Sequence, residues 1–192
     1  MKKGLDLLSS VKSSLISDSV IQRRVQAIGQ QISLEYRDEG EEYPLVVICI
    51  LKGAFVFCAD LIRTMHLPLE VHFMAVSSYG DTTSSSGVVK IEKDIDIDIA
   101  GRNVLIVEDI VDTGLTLAYL KEFLSDRKPR SLSICTLLDK PAAREKEVKV
   151  DYVGFEIGDD FVVGYGLDYA QQLRNLSGIG ILKPEIYQED EE

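Results

Sequence analysis

The stretch VLIVEDIVDTGLTL, residues 104–117, places three carboxylates at fixed intervals. Glu108 and Asp109 follow a run of four apolar residues, and Asp112 heads the small-residue string Thr113, Gly114, Leu115, Thr116. The apolar run reads as a strand buried on both faces, so the acid pair falls at its carboxyl end. Carboxylates there can accept hydrogen bonds from a polyol such as ribose, or help bind Mg2+, a hard cation that prefers oxygen ligands. The residues after Asp112 open a helix, whose unpaired N–H groups and dipole favour an anion. Thr113 and Thr116 add hydroxyl donors, and Gly114 lets the backbone come close to a phosphate. The combination is a cradle for ribose and phosphate in which Asp112, engaged by neither sugar nor metal, is free to take a proton. The plainer alternative is an Asp112 that caps the helix beside a solvated acid pair.

Such a cradle needs a sheet to hold it. The pattern predicts an amphipathic helix over 18–36, with Ile21, Val25, Ile28 and Ile32 on one face and Asp18 as its cap. EYPLVVICI ends in a strand-like run, and after LKG the segment AFVFCADLIRTM has helical length and period. LEVHFMAVSS and VVKIEKDIDID read as strands around a polar Ser/Thr/Gly loop at about 78–87, which looks like a flap in a hairpin-like unit. NVLIVED, a helix from about Leu115 to Asp126, SLSICTLL, and short strands at YVGFEI, FVVGYG and GIGIL complete the order. Alternating strands and helices with buried strands imply an α/β fold with a mostly parallel sheet flanked by helices, whose ligands bind beyond the strand ends. Residues 1–192 are expected to form one domain, its terminal segments making a small hood lobe.

Composition narrows the function classes. A net charge of -11 argues against a nucleic-acid surface. Any anionic substrate must then find a locally positive pocket or bring a metal ion. Two histidines make a His-based zinc site improbable. Cys49, Cys58 and Cys135 lie in or beside apolar runs without a C-x-x-C pair, as expected of free thiols in a reducing compartment. The longest apolar run, Leu45–Leu51, is too short to span a bilayer, and the start MKKGLDLLSS lacks the apolar core of a signal peptide. A cytoplasmic protein is the expectation.

The opening motif resembles the phosphoribosyl-pyrophosphate signature of the type I phosphoribosyltransferases. From about Ile21 onward the chain is similar to their hypoxanthine-guanine branch, through LKGAFVF, SSYGDTTSSSG, LLDKPAAR and VGFEIGDDFVVGYGLDYAQQLRNL. The resemblance implies that Glu108 and Asp109 hold the ribose hydroxyls of the donor, that residues 112–116 bind its 5-phosphate, and that Asp112 is the catalytic base. Leu115 stands at a position that varies in the family. Lys52 and Gly53, preceded by a cis peptide bond, would bind pyrophosphate together with Ser78, Tyr79, Arg174 and Arg144. Lys140 would donate to O6 of the purine, rejecting adenine because two donors would then face each other. Phe161 would stack on the base, Val162 would offer its backbone, and Asp168 would help Glu108 and Asp109 hold Mg2+. Closure of the 78–87 loop would shield the transition state from water.

The implied reaction is purine salvage with phosphoribosyl pyrophosphate and a 6-oxopurine as substrates, in a homodimer or homotetramer. Two rivals keep the fold: a xanthine-preferring enzyme and a non-catalytic nucleotide sensor. A receiver-like switch also puts acids at strand ends, but it would need an acid pair after the first strand, where this chain has Lys52 and Gly53.

Overall fold

The apolar runs at the centre of the chain, Leu45–Leu51 and Asn103–Val111, are largely buried and pair side by side as the middle strands of a sheet. The structure is a computed structural model that describes residues 9–37, 43–78 and 89–187. Its main sheet contains β2 (Leu45–Leu51), β3 (Leu69–Ser78), β4 (Val89–Lys93), β5 (Asn103–Val111), β6 (Ser131–Asp139) and β7 (Tyr152–Glu156). The strand order is β4-β3-β2-β5-β6-β7, with every pairing parallel except β3 with β4.

The period of two in each strand divides the core. Val47, Cys49, Leu105 and Val107 face helices α1 (Asp18–Glu35) and α2 (Phe55–Thr64), meeting Ile21, Val25, Phe57 and Leu61. Val46, Ile48, Val104 and Ile106 face the other way, onto Leu117, Leu120 and Leu124 of α3 (Leu115–Ser125). Because α2 and α3 lie on opposite faces, the chain winds outward in both directions from β2 and β5. The boundary between those two strands is the topological switch point, where α/β sheets form their ligand crevice.

A second sheet joins the two ends of the described chain in the order β1-β9-β8: β1 (Val11–Ile16), β9 (Ile179–Leu182) and β8 (Val162–Val163). Sequence periodicity does not predict β1, because its segment VKSSLI is half polar and mostly exposed; pairing with β9 makes it a strand. The expected strand FVVGYG shortens to β8 because Gly164, Tyr165 and Gly166 all take positive φ. Asp18 is the first residue of α1 rather than its cap, with Ser17 at the cap position, so the Asp18 charge acts from within the first turn. Strand β5 continues past the expected NVLIVED, since Ile110 and Val111 pair with Leu138 and Asp139 of β6.

All three cysteines are buried and free. No helix among the described residues is long and apolar enough to cross a membrane. Ile106 is fully buried at the centre of the sheet. Ile106→Ala should therefore cost about 2–5 kcal/mol in urea unfolding, and a loss well below 1 kcal/mol would contradict this assignment of the core.

Candidate functional site

Two cavities adjoin at the end of β5. One, of about 120 Å³, is lined by Glu108, Ile110, Val111, Asp112, Thr113, Gly114, Thr116 and Leu117. The other, of about 250 Å³, is lined by Asp109, Ile110, Asp112, Lys140, Phe161, Val162, Leu167 and Asp168. Ile110 and Asp112 belong to both.

The loop after β5 owes its shape to the segment behind it. The Thr113 carbonyl accepts from the N–H groups of Glu145 (2.9 Å) and Lys146 (3.0 Å), and the Asp112 carbonyl accepts from Arg144 Nη1 (2.7 Å). With these carbonyls satisfied from behind, the start of α3 is left to offer N–H groups to an anion. Leu115 is the first residue of α3, its N–H 3.4 Å from Thr113 Oγ1. Gly114 is required on the opposite side from the one the sequence suggests: at φ 82°, a Cβ there would lie 2.3 Å from the Lys146 carbonyl.

Backbone also lies against Asp109. A Cβ on Gly53 would lie 1.6 Å from Asp109 Oδ2, and one on Gly166 would lie 2.2 Å from the Gly53 carbonyl. Asp109, the turn after β2 and the loop after β8 therefore stack without intervening side chains. The peptide bond between Leu51 and Lys52 is cis, as the family resemblance implies. Tyr165 anchors the top of this stack, donating its hydroxyl to Asp60 Oδ2 on α2 at 2.6 Å. Burial raises the Asp60 pKa, but hydrogen bonds from Tyr165, Gln22 and Arg63 outweigh it and hold the carboxyl below its usual range.

Lys52 and Arg174 meet at a residue the sequence reading missed. Gln171 Oε1 accepts from Lys52 Nζ (3.2 Å) and Arg174 Nη2 (3.3 Å), and the Gln171 N–H donates to Asp168 Oδ2 (2.7 Å). Arg174 also pairs with Asp168 Oδ1 at 2.7 Å and donates to the Gly166 carbonyl at 2.7 Å. At the larger cavity, Phe161 stacks on Tyr187 (5.2 Å between centroids) and meets the edge of Tyr169, yet stays 37% exposed. Lys140 is buried, with its N–H donated to the Val111 carbonyl at 2.9 Å. Arg144 lines neither cavity, because its guanidinium is engaged with Asp139 and the Asp112 carbonyl. Ser78 is the last residue of β3; Tyr79 and the loop through residue 87 lie outside the described residues.

The acid pair is electrostatically loaded. Burial, with the charge of Asp109, pushes the Glu108 pKa well above the usual carboxylate range. Burial also raises Asp109, against hydrogen bonds from Glu108 and the backbone and the charge of Arg174. Glu108 Oε2 is buried, and no donor among the described residues reaches it. An acceptor held bare in this way fits a hydroxyl or cation that arrives with a ligand. Among the described residues, no three metal-ligating side chains converge. Asp109 and Asp168, which both line the larger cavity, offer carboxylate oxygens of the kind Mg2+ prefers.

The chain belongs to the phosphoribosyl transferase family, whose domain matches residues 19–170. Within that family it is 55% identical over 181 residues to the hypoxanthine-guanine phosphoribosyltransferase of Mycobacterium avium, covering 93% of this chain and 89% of the relative. It is 52% identical over 178 residues to the enzyme of the same name from Bacillus subtilis (strain 168), covering 93% and 97%. The crystal structure of a hypoxanthine phosphoribosyltransferase from Staphylococcus aureus superposes with a TM-score of 0.88 at 44% identity, covering 97% of this chain and 99% of the other.

The raised Glu108 pKa has a consequence for stability. Protonated Glu108 contributes stability that is fully present below the ordinary value of 4.5 and is lost as pH rises through the higher folded value. Glu108→Gln, whose amide can donate to Asp109 at any pH, should raise the urea midpoint of the ligand-free protein at pH 8 and flatten its pH dependence. A lower midpoint with unchanged pH dependence would refute the loaded pair.

Proposed function

We propose that the protein transfers a 5-phosphoribosyl group from phosphoribosyl pyrophosphate to N9 of hypoxanthine or guanine, giving IMP or GMP and pyrophosphate in purine salvage. The observation that carries this reading is the place of Asp112 on both cavities, between a loop built for a phosphate and a pocket holding Lys140 and Phe161. The family, and relatives named for hypoxanthine and guanine, support the same reaction.

In this mechanism the N–H groups and hydroxyls of residues 112–116 fix the 5-phosphate, and Glu108 and Asp109 accept the ribose hydroxyls. Lys52, Gly53 and Arg174 receive the departing pyrophosphate, as preorganised donors aimed at charge that develops in the transition state. Asp109 and Asp168, with Glu108 beside them, would hold Mg2+, whose charge would offset that of the pyrophosphate. Phe161 stacks on the purine, the Val162 backbone meets its edge, and Lys140 donates to O6. Asp112 accepts the purine proton as N9 attacks C1 of the ribose. The β1-β9-β8 sheet serves as the hood. Three buried free thiols support a cytoplasmic setting. A homodimer or homotetramer is part of the same reading, on the family resemblance.

Incubation with phosphoribosyl pyrophosphate, Mg2+ and, separately, hypoxanthine, guanine, xanthine and adenine tests the reaction. Product is expected from the first two; product from none would end the enzyme reading, and product from adenine alone would remove the role of Lys140. Asp112→Asn should lose roughly 10²- to 10⁴-fold in kcat while still binding nucleotide. Turnover like that of the parent would show that Asp112 is not the proton acceptor.

A further inference from the structure

Arg144 is a charged side chain in the loop system around the cavities that lines neither of them. Its side chain is 9% exposed, and that of its partner Asp139 is 12% exposed. One end of the guanidinium, Nη2, is bonded to Asp139 Oδ1, the last residue of β6; the other, Nη1, donates to the carbonyl of Asp112 at 2.7 Å. Between Asp139 and Arg144 the chain makes a tight 3-10 turn, Pro141–Ala143, in which the N–H of Ala143 bonds the Lys140 carbonyl at 3.1 Å. The salt bridge closes that turn at the residue before Lys140, while the Lys140 N–H is tied to Val111, the residue before Asp112. The Arg144 side chain also packs against Gly114, where a Cβ would lie 2.9 Å from its Cδ.

We propose that Arg144 is a positioning residue that sets Asp112 for proton transfer and holds it in register with Lys140, an inference that rests on Asp112 being the proton acceptor. A planar guanidinium suits the task because it can bond two acceptors in fixed directions at once; a lysine ammonium is a point charge on a flexible stem. The bond goes to the Asp112 main chain, so the Asp112 carboxylate stays free to face the cavity. One side chain thereby links the turn that reads the 6-oxo group to the loop that carries the base. A base displaced relative to the bound purine loses rate steeply, since misplacement of about 1 Å can cost on the order of 100-fold.

The test uses the purified full chain and two variants, Arg144→Lys and Asp139→Ala, the second of which leaves Arg144 itself in place. Steady-state turnover, KM for each substrate, equilibrium binding of pyrophosphate and thermal midpoint are measured for both. The expected result is a fall in kcat of about 10- to 100-fold per folded molecule, a higher KM for hypoxanthine, and pyrophosphate binding like that of the parent. Weakened pyrophosphate binding with kcat retained would make Arg144 a pyrophosphate ligand and overturn the proposal. Parent-like kcat in both variants, whatever their thermal midpoints, would reduce the pair to a structural prop and overturn it as well. Asp112→Asn is assayed in parallel to separate the two levels of the reading. If that variant keeps its turnover, the proton-acceptor assignment fails and this inference with it; if it is inactive while Arg144→Lys and Asp139→Ala turn over normally, this inference alone fails.

Discussion

Strand β5 can carry two adjacent carboxylates, Glu108 and Asp109, beside a packed core because backbone rather than side chain lies against Asp109. Asp109 lies against Gly53, and Gly53 in turn lies against Gly166, at separations that leave no room for a Cβ at either glycine. Three distant parts of the chain meet in that stack: the end of β5, the turn after β2 and the loop after β8. In the proposed reaction each carries a different part of the chemistry. The acids bring hydroxyl acceptors, the β2 turn brings Lys52, and the loop after β8 leads to Asp168 and Arg174. The contact between Tyr165 and Asp60 fixes the outer end of the stack to α2 and hence to the sheet.

The cost of this arrangement is electrostatic. Burial raises the pKa of Glu108 and of Asp109, and one oxygen of Glu108 has no donor among the described residues. An unpaired buried acceptor lowers the stability of the ligand-free fold, and stability given up at a site is the usual counterpart of binding there. The cationic side is arranged with the opposite economy. Gln171 holds Lys52 and Arg174 together through a neutral oxygen, so Lys52 is positioned without being neutralised.

Much of the fold was legible because its central strands β2 and β5 are largely buried and announce themselves as continuous apolar runs, while β3 shows the alternation of a half-covered strand. Strands β2, β3, β5 and β6 and helices α1 to α3 lie where periodicity places them, give or take a residue or two at their ends. Strand β1 was not legible, since a polar edge strand gains its identity from its partner β9. The grouping of Glu108, Asp109 and Asp112 with a phosphate loop could be read from local spacing. The clustering of Lys140, Phe161, Val162 and Asp168 at one cavity could be anticipated through family resemblance alone, because no local rule brings these segments together. The bonds of Gln171 to Lys52 and of Tyr165 to Asp60 had no local signal, since those partners lie 119 and 105 residues away. The sequence marks Gly114 as a glycine with a purpose, but the crowding that demands it comes from Lys146 behind the loop.

The division of labour along β5 is tested most directly by a crystal structure of the protein with GMP bound. The expected result is a 5-phosphate on the N–H groups of residues 113–116, ribose hydroxyls on Glu108 and Asp109, and a purine against Phe161 with O6 in reach of Lys140 Nζ. A phosphate bound away from that loop, or a purine whose O6 points away from Lys140, would contradict it.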